Sequence, residues 1–327
     1  MEDASVQRPE VARRQTTAIS YLSSYKELYV PPYVRLMVFS PHPDDETLAA
    51  GGLIQRVLAK EGKVEVVFIT NGDGFRDGVR TEVKGPVITS ADYIQYGKHR
   101  QQEAEQALCE LGVQASEGIF FGFPDDGIDD LWARCWSKLQ PYKSPTTSLD
   151  RAEYNGSFAR LAKYAGANLE DEIIRALREF SPDWVVIPDP RDGHPDHCTT
   201  GVFVLEALRE LNQKGKLSFR HTQILTYLVH YYDYPSASEW TKYITRTGIG
   251  GSPVSDDTLA SIKWMNLPLT SKEQEGKSAA LHAYQSQFKV IPDLLNQFMI
   301  PYELFGQLDA GQAMAVPQEY AIQLQRK

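Results

Sequence analysis

Two runs rich in histidine and aspartate, each close behind an apolar stretch, constrain the fold of this chain more than any other feature. The first run, 41–46 (PHPDDE), follows the mostly apolar residues 33–40, and the second, 192–197 (DGHPDH), follows residues 183–188. Both apolar stretches have the length and composition of buried strands. Because apolar residues recur at helical spacing after each run, each run is expected to connect a strand to a helix.

A third apolar stretch, 64–70, follows the first of these helices and completes a strand, helix and strand unit of the parallel kind. We therefore expect an α/β protein, a Rossmann-like three-layer fold with a mostly parallel sheet. Open parallel sheets bind their ligands at the carboxyl ends of strands. The two runs are distant in sequence, yet this topology can bring them together at that edge of the sheet.

The spacing within the runs predicts a metal site. Residues three positions apart share one face of a helical turn, so His42 and Asp45 can converge, as can His194 and His197. Two imidazoles and a carboxylate suit zinc, and three protein ligands leave one position open for water, as in catalytic sites. We assign His42, Asp45 and His197 to the metal, which leaves Asp44 and a histidine of the second run to move protons.

Each run also has a purely structural interpretation. A Pro-Asp-Asp-Glu string is a good helix start, since proline fits the first turn and acidic groups favour the positive end of the helix dipole. A lone histidine is more often a core or surface residue than a ligand. Three of the seven histidines of the chain, however, fall inside the two runs, which favours the metal interpretation when both runs are considered together.

Length and composition fit one large α/β domain. The chain has 327 residues, of which 42% are apolar and 24% charged, enough to bury a sizeable core. We expect an N-terminal extension over residues 1–30 and a single domain over 31–327, with an insertion at about 129–167. The three cysteines, at positions 109, 135 and 198, have no CxxC spacing, so neither a structural zinc knuckle nor a disulfide framework is indicated.

Charge and hydropathy exclude several classes of partner. There are 34 basic and 43 acidic residues, a net charge of −9, without a dense Lys/Arg stripe that could neutralise nucleic-acid phosphates. No apolar run approaches the ~18 residues that a membrane-spanning helix needs, and the first residues contain no apolar export signal. These features predict a soluble, cytoplasmic protein that acts on a small molecule, and they indicate no oligomeric state.

Further polar and aromatic residues are candidates for substrate binding. Arg100 and Glu103 lie one turn apart on a predicted helix over 94–111, where a surface ion pair is the alternative. Asp125 follows an apolar stretch and could bind ligand hydroxyls or simply form a turn. The 129–167 segment mixes aromatic with polar residues, which predicts either an insertion over the site that faces sugar rings or a minor packing layer.

In the order of these features, the sequence resembles the PIG-L/LmbE family of zinc-dependent N-acetylglucosamine (GlcNAc) deacetylases. The resemblance extends firmly over residues 34–215 and more loosely over the region of Lys277 to Gln287. The motifs that carry it are HPDDE at 42–46, TNGDG at 70–74, Arg100-x-x-Glu103, Pro124-Asp125 and HPDH at 194–197.

The resemblance implies one zinc ion per chain on the three ligands assigned above. It further implies Asp44 as general base and His194 facing the oxyanion, with Asp196 orienting and charging His194. Arg100 and Asp125 are implied to touch sugar hydroxyls.

The expected reaction is zinc-dependent hydrolysis of the N-acetyl amide of a GlcNAc-type sugar or glycoconjugate, which releases acetate and a free amine. Another metal-dependent hydrolase, such as a phosphoesterase, and a non-catalytic carbohydrate-binding protein on the same scaffold are the alternatives.

Overall fold

The structure, a computed structural model, describes residues 25–213, 222–230 and 263–308. Most of the predicted N-terminal extension, residues 1–24, lies outside this part of the chain. Within it, no helix combines the length and the apolar character needed to cross a membrane. The helices and strands in chain order are β1 (Lys26–Glu27), β2 (Arg35–Ser40), α1 (Asp45–Ala59), β3 (Lys63–Thr70), α2 (Arg76–Glu82), α3 (Ser90–Glu110), β4 (Gly118–Phe123), α4 (Ile128–Ala133), α5 (Gly166–Phe180), β5 (Trp184–Pro188), α6 (Pro195–Gln213), β6 (Gln223–Tyr227), β7 (Trp264–Pro268), α7 (Ser271–Ala283), α8 (Gln285–Phe288), α9 (Pro292–Gln297) and β8 (Tyr302–Leu308).

These strands form one eight-stranded sheet in the order β1-β7-β8-β6-β5-β2-β3-β4. Only β8 is antiparallel to its neighbours, β6 and β7, so the predicted mostly parallel sheet is confirmed. Strand β2 pairs in parallel with β3 on one side and with β5 on the other. The chain therefore builds outwards from β2 in both directions, and the loops after β2 and β5 leave the sheet side by side.

The side chains of β2 alternate between two cores, which gives the three layers. Leu36 and Val38 belong to the core under α1, α3 and α7, whereas Met37 and Phe39 belong to the core under α4, α5 and α6. A strand covered on both faces needs a nearly continuous apolar sequence, and β2 is fully buried from its second residue onwards. The predicted three-layer fold is confirmed.

Two helical features differ from the expectation that each run simply connects a strand to a helix. Helix α6 begins at Pro195, within the second run itself, so His197 lies inside the helix rather than in the preceding loop. Proline is well suited to a first helical turn because that turn needs no N–H donor. The connection between β3 and α3 also contains a short helix, α2.

The aromatic side chains of the 129–167 segment do not face a ligand, which corrects the first interpretation of this segment. Trp132, Tyr154 and Tyr164 are buried, and Trp136 and Tyr142 pack at the margin of the second core. The alternative interpretation, a packing layer, describes this segment.

Replacement of Trp132 by alanine should therefore lower stability without weakening sugar binding. The indole packs edge-on against Trp136 and Phe203, with ring centroids 5.5 and 4.9 Å away, and its loss should cost about 3–5 kcal/mol of unfolding free energy. Urea unfolding measures this cost, with Leu139→Ala in the same segment as the control because Leu139 is 88% exposed. Unchanged stability together with weaker sugar binding would contradict the packing role.

Candidate metal centre

The loop between β2 and α1 holds Asp44 in an unusual backbone conformation. Its φ is +129°, outside the regions that residues with a side chain prefer, and such residues cost on the order of 1–3 kcal/mol each. The neighbouring carboxylate stabilises this conformation, because Glu46 Oε2 accepts the N–H of Asp44 at 3.1 Å. Glu46 is itself buried and accepts a hydrogen bond from the Tyr284 hydroxyl. The C-terminal part of the chain thus helps to hold the loop.

Three side-chain atoms from the two predicted runs converge on one point. His42 Nδ1 lies 3.2 Å from Asp45 Oδ2, His197 Nε2 lies 3.1 Å from the same oxygen, and the two nitrogens are 3.2 Å apart. Tetrahedral zinc with bonds of ~2.0–2.1 Å separates its ligand atoms by roughly 3.3 Å. The three donors, all buried, therefore have the spacing and the chemistry of a zinc site.

The second nitrogen of each of these imidazoles faces a carboxylate. His42 Nε2 lies 3.0 Å from Asp125 Oδ1 and 3.4 Å from Asp196 Oδ2, and His197 Nδ1 lies 3.6 Å from Asp192 Oδ2. Carboxylates in this position take the N–H of the ring and leave the other nitrogen free to bind a metal. Asp192 was not singled out from the sequence, although it is the first residue of the second run.

Asp44 stands beside the three donors, in an ion pair with Arg100. Arg100 Nη2 lies 3.1 Å from Asp44 Oδ2 and also donates to the carbonyl of Pro43, and Nη1 donates to the carbonyl of Gly72 at 3.2 Å. Burial raises the pKa of Asp44 to about 8, although the Arg100 cation acts in the opposite direction. Arg100 therefore fixes the predicted general base, a role that its assignment to sugar hydroxyls did not include.

The contact between Asp196 and His194 differs from the one implied by the resemblance. The backbone N–H of Asp196 donates to His194 Nδ1 at 3.2 Å, whereas the Asp196 carboxylate accepts the N–H groups of Asp126 at 2.8 Å and Ile128 at 3.0 Å. Asp196 therefore orients His194 through its backbone and does not pair with the imidazole through its carboxylate.

The protonation state of His194 in this structure also differs from the one that the resemblance implies. Burial lowers the pKa of His194 to about 3, and the positive charge of His42 and other nearby imidazoles lowers it further, although Asp196 acts in the opposite direction. The ring is neutral near pH 7. Since Nδ1 accepts a hydrogen bond, the ring hydrogen is on Nε2.

An open cavity exposes these groups. Its polar side is formed by His42, Asp44, Asp45, Arg100, Asp125, Asp126, His194 and His230, and its less polar wall by Leu48, Phe75, Gln287, Ile291 and Leu294. The cavity contains no side chain of the 129–167 segment. His230, whose ring centroid lies 4.5 Å from that of His197, was not predicted because it follows β6 without any motif around it.

Glu103 links helix α3 to helix α8, which carries Gln287 of this wall. Its carboxylate accepts the N–H of Ser286 at 2.7 Å and the Ser286 hydroxyl at 2.6 Å, which ties α3 to the start of α8. The next residue, Gln287, donates to the hydroxyl of Tyr96 at 2.7 Å. Both Arg100 and Glu103 are buried, so the alternative of a surface ion pair between them is wrong.

The 129–167 segment contacts the site indirectly. The Tyr154 hydroxyl donates to Asp73, and the N–H of the adjacent Gly74 donates to Asp125 Oδ2 at 2.6 Å. The segment thereby holds the turn after β3, and this turn, held in place, donates a hydrogen bond to Asp125 at the cavity.

Comparisons with known proteins agree with this arrangement. A family model described as PIG-L, GlcNAc-PI de-N-acetylase, matches residues 37–208. A 1D-myo-inositol 2-acetamido-2-deoxy-alpha-D-glucopyranoside deacetylase of Mycobacterium sp. (strain KMS) is 32% identical over 168 residues, 51% of this chain and 47% of that protein. The chain thus spans about half the length of the first curated relatives it matches. A deacetylase with the same description from Mycobacteroides abscessus is 30% identical over 278 residues, 79% of this chain and 83% of that one.

A solved structure has the same fold. The A40926 pseudoaglycone deacetylase superimposes with a TM-score of 0.51 at 17% sequence identity, over 84% of this chain and 96% of that one. The family match covers more than half of the chain and includes both runs that supply the three converging donors. The chain therefore belongs to the PIG-L family.

Proposed function

We propose that this protein is a zinc-dependent N-deacetylase that hydrolyses the N-acetyl amide of a GlcNAc-type sugar or glycoconjugate, releasing acetate and a free amine. The observation that carries the proposal is the convergence of His42, Asp45 and His197 at the wall of a cavity that His42, Asp45 and the separate carboxylate of Asp44 line. The names of the relatives, which are deacetylases of an acetamido sugar, support the choice of substrate class.

One zinc ion would be held by His42 Nδ1, Asp45 Oδ2 and His197 Nε2. When bound, zinc lowers the pKa of a coordinated water toward ~7 and polarises a carbonyl group. The carboxylates of Asp125 and Asp192 keep the two imidazoles oriented toward the ion.

In its ionised form Asp44 takes the proton of the attacking water and returns it to the leaving amine; its raised pKa makes this carboxylate a stronger proton acceptor. Its carboxylate lies in the cavity but outside the set of three donors, so it is available for proton transfer. The ion pair with Arg100 holds the side chain in one position. We assign both proton steps to Asp44 because His194 Nδ1 already accepts a backbone N–H, which leaves that ring as a hydrogen-bond donor.

His194 donates the hydrogen on Nε2 to the oxygen of the acetyl group as negative charge develops there. A donor that is already fixed in place stabilises an oxyanion without any reorganisation during the reaction. A neutral imidazole suffices for this role, so the raised pKa expected from the sequence is not needed.

Asp125 and Arg100 bind the sugar at the polar side of the cavity. Asp125 already contacts His42 and Gly74, but each carboxylate oxygen can accept more than one hydrogen bond, so a substrate hydroxyl can still be accommodated. Asp126, whose side chain is 69% exposed, adds a second carboxylate at the cavity mouth.

The function can be tested by incubating zinc-loaded protein with a panel of N-acetylated sugars and with an aryl phosphate, and by measuring free amine, acetate and phosphate. Release of amine and acetate in equal amounts supports the proposal. Release of phosphate alone would point to a phosphoesterase, and binding of the sugars without any product would point to a carbohydrate-binding protein.

Replacement of Asp44 by asparagine should separate catalysis from metal binding. The variant keeps the size of the side chain and loses the proton acceptor, so we expect the rate to fall by a factor on the order of 10²–10⁴. The zinc content should remain that of the wild type. Asp171→Asn, on the exposed surface of α5, is the matched control; near-normal turnover of Asp44→Asn would remove this residue from the mechanism.

The two histidines of the HPDH motif should respond differently to alanine. His197→Ala removes a donor and should leave dialysed protein without stoichiometric zinc. His194→Ala should retain zinc but lose about 10²–10³ in rate, as expected for one oxyanion donor. Elemental analysis and amine release on both variants measure this difference, and loss of zinc from His194→Ala would contradict the assignment.

A further inference from the structure

An ion pair contacts the backbone hydrogen-bonding groups of α1, the helix that begins with Asp45. In a regular α-helix the N–H of Gly52 would donate to the carbonyl of Leu48. The Leu48 carbonyl accepts a hydrogen bond from Lys277 Nζ at 2.8 Å, and the Gly52 N–H donates to Glu303 Oε1 at 2.7 Å, so both groups of this helical pair also contact the ion pair. The two side chains are paired at 2.8 Å.

The ion pair is buried and fully engaged. The side chains of Lys277 and Glu303 are 3% and 2% exposed, and the second carboxylate oxygen accepts the N–H of Leu53 at 2.9 Å. Gly51 leaves room for the lysine, because a Cβ there would lie 3.2 Å from Lys277 Cγ. The pair joins α7 and β8 to the middle of α1.

Stability alone does not explain such a pair. Removing two charges from water costs several kcal/mol per ion, and well-packed apolar residues in their place are often equally or more stabilising. A buried pair that contacts the backbone does have a geometric effect, since groups inserted into a helical hydrogen-bond ladder change the direction of the helix.

These contacts divide α1 into its first turns and its remainder. The first turns contain Asp45, whose Oδ2 must stay 3.1 Å from His197 Nε2, and Leu48, whose side chain lines the cavity. Both parts pack against the first core, the first turns through Leu48 and the remainder through Leu53 and Val57. The direction of the first turns relative to the remainder therefore decides where the Asp45 carboxylate lies.

We propose that the Lys277–Glu303 pair is a positioning device for the metal centre: by bonding to the Leu48 carbonyl and to the Gly52 and Leu53 N–H groups, it fixes the direction of the first turns of α1 and holds Asp45 where it meets the two histidines. This inference rests on the proposed function, because it assumes that Asp45 is a zinc ligand. Without the pair, these backbone groups lose their side-chain partners, and the first turns of α1 can shift and move Asp45.

The test compares zinc affinity with stability in the full chain carrying both Lys277→Met and Glu303→Leu. Removing both charges leaves no unpaired ion and takes away the side-chain contacts to the backbone of α1. We expect zinc affinity, measured by competition with a chelator, to fall about tenfold, as for changes in groups that orient metal ligands. The urea midpoint of the zinc-free protein should stay at or above that of the wild type.

Arg56→Met is the matched control. Arg56 is on the same helix and pairs with Glu273 of α7, with Nη2 and Oε2 2.6 Å apart, but its side chain does not bond to the Leu48 carbonyl or to the Gly52 N–H. Its replacement should leave zinc affinity unchanged.

Glu303→Gln provides a second test that keeps the shape of the side chain. We expect weaker zinc binding here too, because the amide end of glutamine cannot accept both backbone N–H groups.

The outcomes separate this inference from the proposed function. Wild-type zinc affinity in the double variant overturns the positioning role alone. If the double variant does not fold, wild-type zinc affinity in a folded Glu303→Gln protein has the same meaning. A wild-type chain that binds no zinc overturns the proposed function and this inference with it. Weaker zinc binding in the double variant with unchanged stability supports the positioning role.

Discussion

The convergence of three donor atoms within 3.1–3.2 Å of one another is the constraint on which the rest of this structure depends. Lone pairs of two nitrogens and a carboxylate oxygen repel each other unless a proton or a cation lies between them, and burial makes that repulsion stronger. The fold brings the donors together in spite of this repulsion. Strands β2 and β5 are neighbours in the sheet, so the loops that follow them, which carry the donors, begin side by side. The site is thus a consequence of strand order.

The groups around the donors have separate tasks, each fixed by a specific contact. Asp125 and Asp192 face the outer nitrogens of the two imidazoles, while Arg100 holds Asp44 and the backbone of Asp196 holds His194. In the proposed mechanism, this division places a proton acceptor, Asp44, and a hydrogen-bond donor, His194, at the same cavity without direct contact between them. A carboxylate and an imidazole in direct contact would exchange a proton between themselves and would lose this separation of roles.

The sequence predicted strands β2, β3 and β5, their parallel arrangement and the convergence of the three donors, because each depends on local spacing and on the apolar pattern of neighbouring residues, whereas it did not predict β1, β7 or the antiparallel β8. It did not predict His230, the hydrogen-bond direction at His194, or the burial of Trp132 and Tyr154. These features depend on contacts between residues that are distant in the chain. Aromatic residues mixed with polar ones fit a sugar-binding surface and a thin packing layer equally well, and only the position of the neighbouring helix distinguishes the two.

The C-terminal helices contribute in a way that no motif indicates. Gln287, Ile291 and Leu294 form part of the less polar wall of the cavity, while Lys277 contacts the Leu48 carbonyl of α1 and Tyr284 contacts Glu46. The same short region therefore borders the cavity and supports the loop and helix that carry Asp44 and Asp45. We expect a change in these helices to alter the cavity wall and the positions of Asp44 and Asp45 together.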